Sequence, residues 1–505
     1  MQQSPNIIWF KRDLRVSDHE PLAAAAKSGR VLPLYIVEPE LWKLPDSSRR
    51  QWHFIHDSLL DLQRYLLALG APLIIRVGEA TEVLDQLHHE LGVFTLWSHE
   101  ETGNGWTYQR DVAVGQWCRA HNLLWRELPS NGVVRGLKSR DGWAKLRDER
   151  MSAVIVETPN TLVPVDGIAS QNLPDKNDSM FGGANIGFLQ AGGRKEALKT
   201  LESFLKERGR SYMQTISKPG VSARHCSRLS AYITFGTLSV REVEQATKTK
   251  MKSLAGNPYP DGTFFRRNLS AFLSRLAWHC HFIQKLEQQP DIEFKCMHPA
   301  FEGMREPHFR EDFFEAWKTG HTGYPLVDAC MRSLHENGWI TFRMRAMLVS
   351  FASYHLWLDW RKTAPFLAQL FTDYEPGIHY SQFQMQSGVT GINDVRMYNP
   401  IKQSLDHDPQ GKFIHRYVPE LKSVPDSFIH EPWRMYVPPS GYPAPIVENE
   451  AAIKHARAEI SKRWKSEDFK DDSHAVNQKL GSRNRPQSNR KKVKKKEIQQ
   501  LSFDV

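Results

Sequence analysis

The sequence has no run of about 18 uninterrupted apolar residues, so a membrane-spanning helix is not expected. It also lacks the basic, apolar, small-residue order of a signal peptide, because Met1 to Phe10 runs straight into an apolar strand pattern and then Lys11 and Arg12. A cytoplasmic, nucleoid-associated location is expected, or a nuclear one in a nucleated cell, with no membrane partner. Cysteine is scarce. The five present (Cys118, Cys226, Cys280, Cys296, Cys330) are odd in number, widely spaced and without a C-x-x-C pair, which argues against a disulfide scaffold and a zinc ribbon. Neither G-x-G-x-x-G nor G-x-x-x-x-G-K-[ST] occurs, so the usual phosphate-binding loops are missing. Net positive charge is small over most of the chain as well. Of the net +10, +7 lies between Lys479 and Val505, and the remainder is close to neutral. Total charge therefore does not establish a nucleic-acid partner, which has to be argued from placed residues.

At 505 residues the chain has room for two or three domains, and a mean hydropathy of −0.52 suits a water-soluble protein. The first third alternates apolar runs with amphipathic stretches. Strands are expected at Asn6 to Phe10, Val31 to Val37, Pro72 to Val77, Val93 to His99 and Leu123 to Leu128. Between Trp52 and Leu69, Ile55, Leu59, Leu62 and Leu66 fall on one helical face. This pattern predicts an α/β domain over residues 1–135, with a doubly wound parallel sheet covered by helices. Residues 136–193, rich in Pro, Gly, Asn, Asp and Ser from about Pro159, are expected to form an interdomain linker. Residues 194–465 read as all-α, most clearly at Phe264 to Leu286 and Pro325 to Trp357. Residues 466–505, ending in the run Arg490 to Lys496, are expected to be a disordered basic tail.

Several stretches carry chemistry. Trp9, Phe10, Lys11, Arg12, Asp13, Leu14, Arg15, with Asp18 and His19, close the first strand with charges, and alone read as a solvated turn. Cys226, Ser227, Arg228, Leu229, Ser230, Ala231, Tyr232 open a helical stretch continuing through Phe235 and Gly236 to Ser239; hydroxyls and N–H groups beside an arginine suit a diphosphate, or an ordinary cap. His279, Cys280 and His281 are adjacent on a helix and point apart, so they read as structural and no metal site is expected. Further blocks are Trp317, Lys318, Thr319, Gly320, His321, Thr322, Gly323, Tyr324, Pro325 to Asp328; Gly338, Trp339, Arg343, Arg345; Asp359, Trp360, Arg361; Asp373, Tyr374, Glu375; and Tyr398, Asn399, Pro400.

These blocks, in this order, resemble the FAD-binding domain of the photolyase and cryptochrome family, and the N-terminal pattern resembles that family's antenna domain. The resemblance spans about Ile7 to Leu421. It implies a blue-light-driven FAD protein that repairs UV-induced pyrimidine photoproducts in DNA by electron transfer from excited reduced FAD. The alternative it implies is a cryptochrome-like photoreceptor without conventional dimer repair. By position, Tyr212, Ser227, Arg228, Leu229 and Ser230 match residues that hold the FAD phosphates. Arg345 and Asp373 match an ion pair against the flavin ring, and Glu375 a second acid nearby. Trp360 matches the middle tryptophan of an electron-transfer chain, and His379 the residue beside flavin N5, where a histidine of ordinary pKa would exchange protons or merely hydrogen-bond a neighbour. Trp278 keeps its place in the lesion pocket, and Arg343 and Arg396 fall on the DNA-facing rim.

The departures concern the same pocket. Arg275 stands where dimer-repairing members have a glutamate, Phe342 where they have asparagine, Ala346 for methionine, and Phe383 and Met385 for two tryptophans. They point to a different photoproduct, a single-stranded DNA substrate, or the photoreceptor. With Phe383 at the flavin-proximal position and the outermost position at about Pro307, electron transfer needs another route, through Trp360 with Tyr380, Trp357 or Trp317. Trp106 and Thr107 replace the Asn-Glu pair of folate-binding members, which disfavours folate as antenna and leaves a deazaflavin, another flavin or no pigment. A monomer is expected, with the basic tail open to a protein partner.

Overall fold

The computed structural model describes residues 4–182, 187–255, 260–465 and 469–481. Its first part alternates β1 (Asn6–Phe10), α1 (Glu20–Ser28), β2 (Val31–Val37), α2 (Arg49–Ala68), β3 (Ile74–Val77), α3 (Ala80–Leu91), β4 (Thr95–His99), α4 (Gly105–Ala120) and β5 (Leu124–Leu128). All five strands of this sheet are parallel, in the order β3-β2-β1-β4-β5. The central strand shows why it forms. Ile7 and Trp9 enter one core with Leu34 and Leu96, while Ile8 and Phe10 enter the opposite core with Tyr35 and Phe235. Two-residue periodicity with apolar residues on both faces demands cover on both sides, which a parallel sheet between helices supplies.

The strand order reverses beside β1. The chain builds outward through β2 and β3, then returns to place β4 against the other edge of β1. In doubly wound sheets the crevice outside the carboxyl ends of the two strands at such a reversal is where ligands bind. Here it lies beyond Phe10 and His99.

The expected linker is more structured than its composition suggests. Residues 136–193 include α5 (Trp143–Ser152), and Phe181 stacks on Trp52 of α2 at 4.0 Å with the rings nearly coplanar. Pro, Gly and Asn break regular structure there without preventing the few apolar side chains from burying. Gly183 lies outside the described residues.

The second part is helical: α6 (Arg194–Lys206), α7 (Ser230–Thr234), α8 (Val240–Ser253), α9 (Pro260–Gln288), α10 (Pro325–Asn337), α11 (Phe342–Ser350), α12 (Trp360–Leu370) and α13 (Pro376–Ser387), with shorter turns between. Arg147 of α5 forms a buried ion pair with Glu244 of α8. Two helical readings need correction. Residues 226–239 do not form one helix, because α7 ends at Thr234 and Gly236 takes φ +64 with its α-carbon against Arg12 and Asp13. Pro325 to Trp357 is broken at Gly338, whose φ is +65 and where a β-carbon would lie 2.5 Å from Thr372; Thr341 then caps a new helix by accepting from the Met344 N–H.

The tail reading is corrected in part. Phe469–Leu480 form α14, with Phe469 stacked 4.2 Å from the buried His298 and Val476 and Leu480 packed with Ile292 and Met297. Arg490 to Lys496 lie outside the described residues. Among the described residues no helix is long and apolar enough to cross a membrane.

Candidate functional site

The site is built where α7, the turn before it, α11 and the Asp373 to Glu375 loop meet. Arg345 of α11 donates from Nη2 to both carboxylate oxygens of Asp373 at 2.9 Å, and its Nε donates to the Ile340 carbonyl at 3.0 Å. Its guanidinium also lies 4.0 Å over the Phe371 ring. Asp373 is buried, yet Arg345, the Ser230 hydroxyl and Arg228 together hold its carboxyl below the usual range against desolvation.

Arg228 is the second cation. It adopts φ +60, a left-handed conformation that costs an arginine about 1–3 kcal/mol. The cost is offset by what it reaches. Its Nη2 donates to Gln190 Oε1 at 3.1 Å, its carbonyl accepts from Gln190 Nε2, and its guanidinium lies 4.1 Å from the Trp339 ring. Burial, with Arg345 as a neighbouring cation, lowers its pKa to about 10. Two partly buried guanidiniums therefore share one carboxylate. Such a surplus of positive charge at low dielectric is unstable alone and suits an anionic group bearing phosphates. The donor set accordingly fits FAD: Tyr212, Ser227, Arg228, Leu229 and Ser230 would hold the phosphates, and Arg345 with Asp373 the ring. Tyr212 is buried and hydrogen-bonds Arg275, a partner that its assignment to phosphate did not foresee.

Glu375 is turned toward the first domain. Its Oε2 accepts from Arg12 Nη2 at 2.9 Å, while Oε1 is buried without a partner. His379 on α13 is enclosed by Phe371, Tyr374, Tyr380 and Phe383, with the Phe383 ring centroid 4.6 Å away. Its Nε2 bonds the Ala364 carbonyl at 2.9 Å, which places the proton of the neutral ring on Nε2. Burial lowers its pKa to about 3. Of the two roles the sequence leaves open for this histidine, the neutral hydrogen-bonding ring is the one this geometry favours. Because the folded pKa is depressed, this histidine's stabilising contribution is complete above about pH 6.5 and declines by about 1.4 kcal/mol per unit as pH falls toward 3. Histidine NMR spectra between pH 5 and 8 are expected to show no titration of His379; a midpoint inside that window would contradict this assignment.

Trp360 is buried, with the Tyr380 ring 6.5 Å away in an edge-on arrangement and Arg361 4.9 Å over its face. Trp357 lies under the Arg305 guanidinium at 4.6 Å, and Trp317 packs on Phe314 and Phe366. Of the three alternative partners for Trp360, Tyr380 is the one with a ring contact. Trp278 of α9 is 39% exposed and Phe342 of α11 46% exposed, both on helices packed against α13. Arg275 and Arg396 are exposed as well, and the Arg343 guanidinium lies 5.7 Å from the Tyr398 ring.

The charged segment after β1 was misread as a solvated turn. Lys11, Asp13, Arg15, Asp18 and His19 are all buried. Asp13 Oδ1 accepts from the Lys11 N–H at 2.7 Å, and Oδ2 receives His19 Nε2 at 3.0 Å and His99 Nδ1 at 2.7 Å. The signal was there: charges following a strand buried on both faces, at a switch point, have little solvent to enter. Asp13, His19 and His99 lie close enough to hold a metal ion. The hydrogen bonds argue against one. His19 Nδ1 accepts from the Leu22 N–H, so the neutral ring carries its proton on Nε2, the atom a metal would need bare. Beside this cluster, a cavity of about 90 Å³ is lined by Trp9, Tyr35, Glu38, Trp42, Arg110 and Tyr374 among others, with Arg110 bonded to Glu38 at 2.7 Å. Cys280 Sγ lies 4.0 Å from His279 Nδ1, whereas His281 Nδ1 accepts from Arg140.

Residues 6–137 match the family described as DNA photolyase, and residues 272–462 match the FAD binding domain of DNA photolyase. A deoxyribodipyrimidine photo-lyase of Escherichia coli is 29% identical over 482 residues, covering 88% of this chain and 96% of that protein. A cryptochrome DASH of Gloeobacter violaceus is 28% identical over 456 residues, covering 85% and 88%. Among solved structures, a bacterial class III photolyase from Agrobacterium tumefaciens superposes with a TM-score of 0.78 at 26% identity, over 92% of this chain and 99% of that one. An archaeal photolyase from Sulfolobus tokodaii, solved with two FAD molecules, gives 0.75 at 26% identity, over 91% and 100%.

Proposed function

This chain belongs to the photolyase and cryptochrome family and carries its FAD-binding domain, and on that premise we propose that it is a blue-light-driven DNA repair flavoprotein acting on UV-induced pyrimidine photoproducts. The observation that carries the reading is the pairing of Arg228 and Arg345 around Asp373, together with Trp278 and Phe342 exposed on two helices that both pack against α13. Bound FAD would supply the chemistry, light-driven electron donation to the photoproduct. The residues of the chain do the rest. Arg345 would stabilise negative charge on the reduced ring, and Arg228 would hold the phosphates. Trp278 and Phe342 offer ring faces to unstacked bases, and Arg275, Arg343 and Arg396 offer cations to phosphates, a combination that favours a single-stranded substrate. A planar antenna pigment has a place in the cavity at the β1 and β4 reversal.

The second reading, a cryptochrome-like photoreceptor, is favoured by Arg275. Bonded to Tyr212, it stands where dimer-repairing members contact the lesion through a glutamate. One experiment separates the two. The reduced protein is illuminated with oligonucleotides carrying cyclobutane or (6-4) lesions, each single- and double-stranded, and restored bases are assayed. Restoration is expected on at least one single-stranded substrate; failure on all of them favours the photoreceptor.

We propose further that electrons reach the cofactor through Trp360 and Tyr380. Trp360→Phe is expected to slow photoreduction at least about tenfold, equivalent to about 1.4 kcal/mol of barrier. An unchanged rate would remove Trp360 from the route.

A further inference from the structure

Between the sheet edge and the helical domain runs a cleft that the proposed chemistry does not use. Its interior volume is about 50 Å³, and Arg15, His99, His279 and Glu375 are among the residues that line it. Three of these carry a buried polar atom with no protein partner: Arg15 Nε, His279 Nε2 and Glu375 Oε1. Arg15 and Glu375 are themselves more than nine-tenths buried. Arg15 spends its other nitrogens on the Gly236 and Asp18 carbonyls, and Glu375 its other oxygen on Arg12. His99 contributes a fourth group. Its Nδ1 is taken by Asp13, so the neutral ring carries its proton there and keeps a bare lone pair on Nε2. Burial and the facing His19 hold that ring neutral, with a pKa of about 3.

Unpaired buried polar groups cost about 1–3 kcal/mol each, and native proteins satisfy them with water where space allows. A buried water needs about 10–15 Å³ of such volume and two to four polar partners, so this cleft has room for about three or four. Its mouth is wet. Glu100, Thr102, Ser130 and Asn131, which also line it, are half-buried at the surface.

We propose that the cleft holds a chain of ordered waters that carries protons from solvent at Glu100 and Ser130, past His99 and His279, to Glu375. The proposal rests on the light-driven flavoprotein reading, because it assigns the path a purpose. An electron delivered to a buried cofactor leaves an uncompensated charge, and one proton arriving at Glu375 Oε1 from bulk water balances it. No bond other than O–H bonds is made or broken, and the hydroxide left at the mouth is neutralised by solvent. Arg12 keeps Oε2, so the proton goes to Oε1. Burial raises the Glu375 carboxyl above its usual range despite Arg12, which suits an acceptor in equilibrium with neutral solvent. Glu375 is a positioned proton acceptor here, and His99 and His279 are hydrogen-bonding stations whose charge does not change.

The test uses the full-length, FAD-loaded protein. A crystal structure at atomic resolution is expected to show three or four ordered waters linking His99 Nε2 to Glu375 Oε1; a dry cleft overturns the proposal. Light-minus-dark infrared difference spectra are expected to show a carboxylic-acid C=O band that shifts in D2O and vanishes in Glu375→Gln. In Ser130→Leu, which narrows the mouth without touching Glu375, the band is expected to rise about a hundredfold more slowly. Flavin bands without the carboxyl band, or a band unslowed in Ser130→Leu, overturn the proton path alone. Absence of light-induced flavin bands in the unmodified protein overturns the parent reading instead.

Discussion

Replacing Arg345 with methionine is expected to yield a folded protein that purifies without flavin colour. The substitution removes one cation of the pair that shares Asp373 and leaves that carboxylate buried beside Arg228 and Ser230 alone. Removing one partner of a buried ion pair typically costs about 3–5 kcal/mol. Arg345 keeps a side-chain exposure of 22%, which places the expected effect at the lower end. If that cost falls on the cofactor-bound form, FAD affinity drops by about a hundredfold, at about 1.4 kcal/mol per tenfold. Arg345→Lys is expected to fall between, since lysine keeps the charge but not the planar guanidinium that bonds Asp373 through Nη2 and the Ile340 carbonyl through Nε. Equilibrium dialysis against FAD reads both variants. Unchanged affinity in Arg345→Met would mean that the cofactor does not face this pair.

The largest loss of stability is expected from Asp328→Ala. Asp328 sits in the first turn of α10 with no exposure, and its carboxylate collects the loop before it. Oδ1 accepts from the Thr322 N–H at 2.8 Å and the Thr322 hydroxyl at 2.7 Å; Oδ2 accepts from the Gly323 N–H at 3.1 Å and the Tyr442 hydroxyl at 2.6 Å. Gly323 takes φ +79, and a β-carbon there would lie 2.4 Å from the Ala444 carbonyl, so this turn requires glycine. Alanine at 328 strands four donors, and at about 1–3 kcal/mol for each unsatisfied group the total is about 4 kcal/mol or more. Tyr442→Phe removes one donor together with its hydrogen and is expected to cost about 1 kcal/mol. Urea unfolding of the two variants gives the comparison. Equal, small losses would contradict the account of Asp328 as the organiser of this loop.

That loop also shows what could be read before any coordinates were known. The block from Trp317 to Asp328 stands out in the sequence as a family signature, and its work here is structural: a buried acid stitching a glycine turn to a helix. The five strands were legible because apolar runs between amphipathic segments have one economical arrangement, a covered parallel sheet. Arg345 and Asp373 come together as expected, each within a motif that carries the family resemblance. What escaped notice depends on distant parts of the chain. Lys11 to His19 read as a solvated turn because charge normally seeks water, and only the packing of Phe235 and Gly236 over that segment closes it off. Glu375 was placed with the cofactor, whereas Arg12, 363 positions earlier, holds one of its oxygens. For His379 the sequence leaves proton exchange and a plain hydrogen bond both open, and its aromatic enclosure favours the second. The helix at Phe469–Leu480 was hidden by the polar composition of its surroundings, because the apolar face it buries is only two or three residues wide.

The central claim is that light absorbed by FAD in this chain repairs DNA, and the action spectrum of repair tests it most directly. With the protein reduced and single-stranded lesion-bearing DNA in excess, the number of bases restored per photon is measured as a function of wavelength. The account predicts restoration only in the light, with a spectrum that follows absorption by the bound pigments and is lost in Arg345→Met. Restoration in the dark, or none at any wavelength by protein that retains its flavin, would contradict it.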